Sequence, residues 1–398
     1  MDKNINFLIF GRFPTERAYG VHVVSNAKSF QKYGKVKVIY PSTNNPKTID
    51  IRPEKYFSNS DGIIFEKINF YDITNNIFFK FSPNFIKQFL WLFFTYLFGK
   101  KVRKKIPNKN NEINWSTSSV LLYSASRYNQ QLIFELHGRA RKIQSFFLRK
   151  IYDTKYFKKI FISTSKYGTN DLNNRGIKNN LFFMPNGVDL DLFQPNNDIE
   201  IDEHKLKIGY VGQLHTYGVE KGIVFSLKAL DKALEELRHS NKSENIFKNI
   251  SFTIVGGSYE EHQKITELNN FKNFKINFFT NTNQKEVARI LRTIHIGLVP
   301  YPKEEHIAKY SSSLKLFEYI SSGVGVIASD VEANKVFDKN IGIKYFEAEN
   351  FESLKNIFKY FSNLENLDYL KDLIELNKGY RDKLSWDLRT KKIFKQLK

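Results

Sequence analysis

The chain of 398 residues contains no cysteine, so disulfides and thiolate metal sites are excluded. Its eight histidines show no HExxH or similar paired spacing, so the usual metal-binding motifs are missing as well. No apolar run reaches the ~20 residues that a transmembrane helix needs. We therefore expect a cytoplasmic protein that requires neither a metal nor a cofactor.

Acidic residues are scarce relative to basic ones. The sequence has 41 Asp and Glu against 62 Lys and Arg, which gives a formal net charge of +21. Such a charge attracts nucleic acids, anionic membranes or phosphorylated small molecules. Because no RNP or zinc-finger signature accompanies the lysines, we expect no nucleic-acid partner.

The longest aromatic run, Phe89–Phe98, is followed by the basic segment Lys100–Lys105. It is compatible with a crossover helix that packs on a sheet and leaves its basic end in water. The same combination is also typical of a segment at a bilayer interface, although the crossover helix is the favoured interpretation for most of the run. The second interpretation predicts peripheral contact of Phe85–Lys105 with an anionic membrane, at the inner face of the cell membrane.

Short apolar segments alternate with amphipathic ones along most of the chain, which predicts an α/β fold with two Rossmann-like parallel-sheet domains. The N-terminal segment predicts a first β-strand and lacks the cleavage site of a signal peptide. The polar stretch Gln194–Lys205 has no apolar periodicity and is predicted to link the domains. The predicted boundaries are 1–198, 199–372 and a C-terminal helix over 373–398.

The predicted strands are Asn6–Phe10, Lys37–Tyr40, Val120–Ser124, Gln131–Leu136, Lys159–Ser163, Leu181–Met184, Lys207–Val211, Ser251–Val255, Lys275–Phe279, Ile296–Pro300 and Val324–Ala328. The predicted helices are Val21–Tyr33, Ile143–Tyr152, Gly222–Arg238, Gln284–Arg292 and Ser313–Ser321, and the tail Asn350–Lys398 is helical. Ligands of parallel sheets bind beyond the carboxyl ends of the strands, so the residues that follow each strand carry the functional predictions.

Gly11 and Gly20 follow the first predicted strand. Glycines allow a ligand to approach the backbone closely, although ordinary turns use them too. Their spacing is not GxGxxG, which argues against a dinucleotide cofactor. Further along, two neighbouring strand candidates end in Arg127 and in a segment with His137 and Arg139, so a guanidinium and an imidazole would face one cleft. A histidine at such a position is either a loop residue or a functional group.

Gly212 and Gln213 follow the first strand candidate of the second half, and Lys221 precedes its helix. An ammonium beside a positive helix terminus is favourable when an anion binds there, and a diphosphate would serve. The alternative is a solvated lysine.

The next helix start is the most specific signal. It consists of Ser311, Ser312, Ser313 and Leu314. Its N–H groups can bind phosphate, Lys315 adds positive charge, and Glu318, one turn later, can accept two ribose hydroxyls. The structural alternative is an N-cap with an i,i+3 ion pair.

Several blocks occur in a characteristic order: AYGVHVVSNAKSF from Ala18, FELHG from Phe134, MPNGVDLDLF from Met184, IGYVGQL from Ile208 with EKG downstream, GLVPYP from Gly297 and SLKLFEYISSGVGVIASD from Ser313. With these blocks the chain resembles glycosyltransferase family 4, whose members are retaining enzymes with two Rossmann-like domains facing across a cleft, the GT-B fold. The pair Ser385-Trp386 is similar to the tail in which the last helix returns to the N-terminal domain.

On the donor side, the resemblance implies that Lys221 and Lys315 bind the diphosphate and that Glu318 binds the ribose. The loop that begins with Thr280 and Asn281 would contact the base.

On the other side, His137 would lie beside the transferred sugar, and the loop from Gly11 to Gly20 would close over the donor. The acceptor-side residues would be His22, Arg127 and Arg139.

Two positions depart from the family pattern. Gln213 stands where an arginine is common, and Tyr310 stands where a first glutamate is common. Lys221 and Lys315 would then supply the diphosphate contacts. Sugar contacts would come from the amides of Ser311 to Leu314 or from the loop Pro302–Tyr310.

The resemblance implies metal-independent transfer from a nucleotide-diphosphate sugar, most commonly a UDP-sugar, with retention of configuration. The expected acceptor is a glycan or a lipid-linked glycan in bacterial capsule, lipopolysaccharide or other surface-polysaccharide synthesis. Two other classes stay open. One is a sugar-nucleotide epimerase of the same fold, and the other is a basic nucleic-acid-binding or membrane-binding protein without enzymatic activity.

Overall fold

A computed structural model describes residues 3–15, 18–42, 49–155, 157–196, 201, 204–216, 218–240, 243–280, 282–337 and 340–397, without the side chains of Ser243 and Leu268. The chain divides into two compact units. The N-terminal unit comprises Met1–Asn186 and Trp386–Lys398, and the C-terminal unit comprises Gly187–Ser385. None of the helices in the described residues is both long and apolar enough to cross a membrane.

The N-terminal unit contains a seven-stranded sheet in the order β3-β2-β1-β4-β5-β6-β7. All of its pairings are parallel. The strands are β1 (Lys3–Leu8), β2 (Gly34–Pro41), β3 (Ile64–Ile68), β4 (Glu112–Ser116), β5 (Gln131–Leu136), β6 (Lys158–Ser163) and β7 (Leu181–Phe183). The helices are α1 (Ala18–Phe30), α2 (Pro53–Tyr56), α3 (Ile77–Phe81), α4 (Asn84–Arg103), α5 (Ser119–Ala125), α6 (Lys142–Asp153) and α7 (Lys166–Asn174).

The C-terminal unit contains a parallel six-stranded sheet in the order β12-β11-β8-β13-β14-β15 and a small hairpin of β9 and β10. The strands are β8 (Lys205–Val211), β9 (His215–Thr216), β10 (Val219–Glu220), β11 (Asn249–Val255), β12 (Lys275–Phe279), β13 (Ile296–Val299), β14 (Gly325–Ser329) and β15 (Ile343–Phe346). The helices are α8 (Ile223–Arg238), α9 (Tyr259–Leu268), α10 (Gln284–Leu291), α11 (Glu305–Tyr310), α12 (Leu314–Ser321), α13 (Phe351–Ser362) and α14 (Leu367–Tyr380).

The last helix, α15 (Trp386–Gln396), packs with the N-terminal unit. Ile393 and Phe394 lie in the hydrophobic core of that unit, where the Phe394 ring stacks on Tyr33. The preceding α14 belongs to the C-terminal unit. The tail after residue 372 is therefore shared between the units, whereas the sequence predicts one helical element over 373–398.

The structure divides the chain after Asn186, whereas the predicted boundary follows residue 198. The difference arises because Val188 and Phe193 pack into the core of the C-terminal unit. The Ser321 hydroxyl also donates a hydrogen bond to the Phe193 carbonyl. Part of the predicted polar linker is therefore anchored to one unit.

The strand prediction for Val120–Ser124 is wrong, because these residues form helix α5. The Ser118 hydroxyl caps this helix by accepting a hydrogen bond from the Leu121 N–H. The strand that precedes it is β4, which the sequence does not reveal because Glu112 and Asn114 interrupt its apolar pattern. Both side chains are buried, and each is hydrogen-bonded to Asn6.

Candidate functional site

The first candidate site surrounds Lys315, in the first turn of α12. Its side chain is only 7% exposed, and its Nζ lies 3.6 Å from the centroid of the Tyr210 ring and 5.4 Å from that of Tyr301. Within the described residues, this Nζ has no hydrogen-bond partner. Burial, together with the charge of Lys221, holds the pKa of Lys315 well below its usual range. A buried cation without a hydrogen-bond partner is costly, so this ammonium is suited to an anionic ligand.

The end of β8 determines how much space remains beside this ammonium. Gly212 has a φ of 126°, and a Cβ built on it would lie 3.3 Å from the Lys315 Nζ. The Val211 N–H donates a 2.8 Å hydrogen bond to the Tyr319 hydroxyl and so ties α12 to β8. The Tyr210 hydroxyl donates to the carbonyl of Gln213, whose side chain is exposed. The end of β8 and helix α12 are thus held together.

Helix α12 begins without a side-chain cap, since Ser313 makes no capping hydrogen bond. Its hydroxyl instead pairs with the hydroxyl of Tyr301 at 2.9 Å. Leu314 and the preceding Ser311 and Ser312 are half-buried. The N–H groups of the first turn are therefore not capped by Ser313, as an anion site at this helix start requires.

Lys221 is half-buried, and burial lowers its pKa to about 8. The start of α8, next to Lys221, was expected to face a bound anion, but the structure places a protein carboxylate there. The Glu220 carboxylate accepts hydrogen bonds from the N–H groups of Gly222, Ile223 and Val224. The α8 terminus is thus already capped by a protein anion, and only the Lys221 side chain is left for a diphosphate.

Glu318, one turn after Lys315, is 8% exposed and accepts a 3.2 Å hydrogen bond from Gln284 Nε2. Burial raises its pKa to about 7, although the nearby charge of Lys315 works in the opposite direction. At neutral pH the carboxyl is therefore close to its midpoint of titration. Hydroxyl groups that donate to it would favour the charged form.

The remaining donor-side predictions lie at neighbouring strand ends. Thr280 is exposed and follows β12, whereas Asn281 lies outside the described residues. Gly256, after β11, has a φ of 115°, and a Cβ on it would lie 2.3 Å from the Gly212 carbonyl oxygen. No pattern in the sequence pointed to a role for Gly256, Tyr210, Tyr301 or Gln284. Tyr210 and Tyr301 could have been found, because each lies inside a recognised block.

The second candidate site, in the N-terminal unit, is centred on Glu135 near the end of β5. This side chain is fully buried. Its Oε1 lies 2.9 Å from His137 Nε2, 2.8 Å from an Nη of Arg389 and 3.1 Å from His22 Nε2. Its Oε2 accepts a 3.0 Å hydrogen bond from Trp115 Nε1. Predicted site residues on α1 and after β5 are thus joined through one carboxylate.

Burial and the neighbouring charges give Glu135 and His22 different ionisation states. Burial raises the pKa of Glu135, but Arg389 and the two imidazoles outweigh it and hold the pKa well below its usual range. Burial and the nearby His137 lower the pKa of His22 to about 4. Glu135 is therefore an anion and His22 is neutral at pH 7. His22, predicted on the acceptor side, is 2% exposed and faces this buried carboxylate.

His22, Glu135 and His137 place potential ligand atoms within 4.8 Å of one another, a spacing that a metal ion could use. However, Arg389 already contributes a full positive charge to the carboxylate. Since like charges repel in a buried site, the ion pair disfavours a cation there.

Arg127 and His137 do not share a strand edge, contrary to the prediction. Arg127 follows helix α5 and precedes β5, whereas His137 follows the carboxyl end of β5. The Arg127 guanidinium donates to the Arg103 carbonyl at 2.9 Å. The prediction failed because it rested on the incorrect strand over residues 120–124. Arg139 follows the carboxyl end of β5, as His137 does, and is exposed.

Gly11 and Gly20 occupy different surroundings. Gly11 has a φ of 142° and lies near the Trp91 ring. Gly20 is buried in the first turn of α1, where a Cβ would lie 2.6 Å from the Thr15 carbonyl oxygen. Close packing against its own loop therefore accounts for Gly20 without a ligand.

Comparison with known proteins places these sites in context. Residues 205–356, which include Lys221, Lys315 and Glu318, match the family model described as glycosyl transferases group 1. This match supports a group 1 glycosyl transferase. No curated protein matches the chain.

Solved structures resemble the chain over its whole length. HepE from Anabaena, in complex with UDP and glucose, has a TM-score of 0.65 at 11% identity and covers 99% of both chains. TarM from S. aureus, as a variant in complex with fondaparinux, alpha-GlcNAc-glycerol and UDP, has a TM-score of 0.69 at 10% identity over 99% of both chains. WaaG, a glycosyltransferase involved in lipopolysaccharide biosynthesis, has a TM-score of 0.63 at 13% identity over 98% of both chains. These similarities confirm the predicted GT-B fold with its two parallel-sheet units.

Proposed function

We propose that the protein is a retaining, metal-independent glycosyltransferase of family 4 that uses a nucleotide-diphosphate sugar, with UDP as the first nucleotide to test. The observation that carries this proposal is the buried Lys315 ammonium, which has no hydrogen-bond partner within the described residues. It lies one helical turn before the carboxyl of Glu318. A diphosphate for the cation and a ribose for the carboxylate satisfy both groups.

The chemistry follows from charge. As the bond between the sugar C1 and the diphosphate oxygen breaks, negative charge develops on the departing oxygen. Lys315 and Lys221 stabilise this charge, a task that a divalent metal performs in other transferases. The Lys315 side chain is held in place by its contact with the Tyr210 ring and by the hydrogen bond that ties α12 to β8, so little reorganisation is needed.

Retention of configuration follows if the acceptor attacks from the face that the diphosphate leaves. The new bond then joins the acceptor oxygen to C1, and the acceptor proton moves to the departing phosphate oxygen. This route needs no covalent carboxylate nucleophile. Trapping a glycosylated side chain from donor alone would contradict it.

A donor screen tests the proposed reaction class. We expect UDP-glucose or a related UDP-sugar to bind the full chain in calorimetry and to yield a glycosylated product when lipid-linked or free glycan acceptors are added. An epimerase would convert the donor without an acceptor. A non-enzymatic basic protein would bind no nucleotide sugar, and the absence of binding by UDP, GDP and CDP sugars would refute the transferase proposal.

The proposed acceptor is a glycan on a lipid carrier at the cytoplasmic face of the membrane, in surface-polysaccharide or glycolipid synthesis. It is supported by a surface that we call the aromatic face. Its members are Ile77, Phe78, Phe81, Phe85, Phe89 and Phe93, all exposed. Phe81 is 85% and Phe85 is 72% exposed, so these rings are not part of a core. Helix α4 packs on the protein through other residues, among them Thr95, Phe98 and Val102.

The charge beside the aromatic face favours lipid as its partner. Residues 73–111 include eight Lys or Arg and no Asp or Glu. Lys100, Lys101 and Lys104 are exposed at the C-terminal end of α4. Exposed aromatic side chains next to a basic cluster are typical of surfaces that enter an anionic bilayer interface.

Substitution of Phe85, Phe89 and Phe93 by serine should weaken binding to vesicles of phosphatidylcholine and phosphatidylglycerol about tenfold, because apolar insertion is lost. The side chains are exposed, so the melting temperature should change little. Vesicle co-sedimentation measures the effect, and Tyr259→Ser serves as a matched exposed-aromatic control. Unchanged binding of the triple variant would refute the membrane proposal. Loss of self-association without lipid would instead assign the face to a second copy of the chain.

A further inference from the structure

The proposed reaction assigns no role to the buried Glu135 carboxylate or to the groups that surround it. Glu135 is a fully buried carboxylate that accepts hydrogen bonds from four residues, the longest of them a 3.5 Å bond from Asn26 on α1. His137 follows its own strand, Trp115 lies on β4, and Arg389 lies on α15. The titratable or charged groups that face it are His22, His137 and Arg389, whereas Trp115 and Asn26 are neutral.

The direction of the hydrogen bond to His137 follows from this environment. Arg389 and Trp115 can only donate, so they hold Glu135 as an acceptor. A carboxylate has no proton to give, so His137 must donate through Nε2. In a neutral imidazole the other nitrogen then carries a lone pair. Within the described residues, the only hydrogen bond of the His137 ring is the one to Glu135.

We propose that Glu135 is a positioning residue that fixes His137 as its Nε2–H tautomer, so that Nδ1, on a side chain that is 28% exposed, accepts a hydrogen bond from a substrate hydroxyl. The substrate part of this inference rests on the proposed glycosyl transfer. The class of ligand follows from the chemistry, since an acceptor nitrogen pairs with a hydroxyl and not with a phosphate oxygen.

Arg389 extends this arrangement to the last helix. Besides Glu135, it donates through Nε to the Pro185 carbonyl at 2.8 Å and through an Nη to the Met184 carbonyl at 3.4 Å. It is 5% exposed. The guanidinium therefore keeps α15, the loop after β7 and the Glu135 carboxylate in one fixed geometry. The returning helix contributes the charge that keeps Glu135 ionised.

The tautomer itself is the first test, and it needs no variant of Glu135. Long-range proton–nitrogen spectra of the full chain labelled with 15N-histidine report which ring nitrogen is protonated. His137→Gln identifies the relevant signals by their disappearance. We expect the Nε2–H tautomer in the neutral ring. Observation of the Nδ1–H form would overturn the proposal, whatever the donor screen yields.

Kinetics of variants provide the second test. Glu135→Gln should lower kcat roughly 10- to 100-fold, as expected when an orienting carboxylate is lost. It should leave the Kd for UDP unchanged, because the predicted nucleotide contacts lie in the C-terminal unit. Glu135→Asp keeps the charge, so its kcat should lie between that of Glu135→Gln and that of wild type.

Glu112→Gln is the matched control, since Glu112 is also a buried carboxylate hydrogen-bonded to neighbouring side chains, on β4. It should leave kcat and the His137 tautomer unchanged even if it lowers the melting temperature. Equal losses of kcat in the two variants would mean that Glu135 has only a structural role. If wild type transfers no sugar, the proposed function fails, while the tautomer result still decides the role of Glu135.

Discussion

Replacing Lys315 with methionine is expected to lower kcat/KM for glycosyl transfer by roughly 10²- to 10³-fold, the range seen when one group that stabilises a developing oxyanion is removed. Methionine keeps most of the length and apolar volume of the side chain but has no charge. The loss arises because the Lys315 ammonium is the buried cation of this site, with no hydrogen-bond partner of its own in the described residues. Steady-state kinetics with UDP-glucose measure the effect once an acceptor has been found.

The same substitution should stabilise the folded state by about 1 kcal/mol. A buried unpaired donor costs ~1–3 kcal/mol, and the cation–π contact with Tyr210 offsets part of that cost. The folded-state pKa of Lys315 is lowered, so its destabilising contribution is present at neutral pH and shrinks as pH rises toward the unfolded value of 10.5. Urea unfolding at two pH values should therefore show that the free energy of unfolding of Lys315→Met exceeds that of wild type by less at high pH than at neutral pH.

Lys228→Met is the control for this variant, because Lys228 is an exposed lysine on α8. It should change neither stability nor kcat/KM appreciably. A Lys315→Met protein that keeps full activity would refute the diphosphate role. A protein that is less stable than wild type would show that Lys315 is a structural residue.

Glu318→Gln is expected to raise the Kd for UDP-glucose roughly 100-fold, since hydrogen bonds to a charged acceptor contribute ~1.5–3 kcal/mol each. Glutamine is nearly isosteric but carries no charge and only one acceptor oxygen. Glu318→Ala should weaken binding still further and leave the fold intact. Isothermal calorimetry measures both, with Glu235→Gln, a change to an exposed carboxylate on α8, as the control.

Binding should also depend on pH with a defined sign. Burial raises the pKa of Glu318 to about 7, and a ribose binds best to the carboxylate form. The affinity of wild type for UDP-glucose should therefore fall as pH drops below 7. Protonation of Lys315 acts in the opposite direction, because it strengthens the phosphate contact. Because Glu318→Gln lacks the titrating carboxyl, the difference between its pH dependence of UDP-glucose affinity and that of wild type is due to Glu318. If the variant and the wild type showed the same pH dependence, this role of Glu318 would be contradicted.

The sequence predicted the positions of most strands because buried parallel strands are continuous apolar runs. Gln131–Leu136 and Lys275–Phe279 were predicted to the residue. The prediction failed at Val120–Ser124, where the same apolar character belongs to a buried helix. Short apolar runs do not distinguish the two states. That error displaced Arg127 from the edge where it was expected.

In the candidate sites, too, the sequence predicted some features and not others. The spacing of Lys315 and Glu318 within one helix was sufficient to propose a nucleotide site, because neighbours on a helix face follow from the helical repeat. The capping of α8 by Glu220 was not anticipated, although the two are adjacent in sequence. Glu220 lies on β10 of the two-stranded hairpin that precedes the helix, and the sequence does not reveal that hairpin.

By itself, the sequence determined the α/β class, the positions of most strands along the chain and the placement of Lys315 and Glu318 one turn apart on one helix, since these depend on local periodicity and short separations. Only the tertiary structure decided that the Lys315 ammonium is buried against Tyr210 and that Glu135 joins His22, His137 and Arg389. Glu135 and Arg389 are 254 residues apart. No local pattern encodes such a contact, because it arises only when packing brings the returning helix onto the sheet.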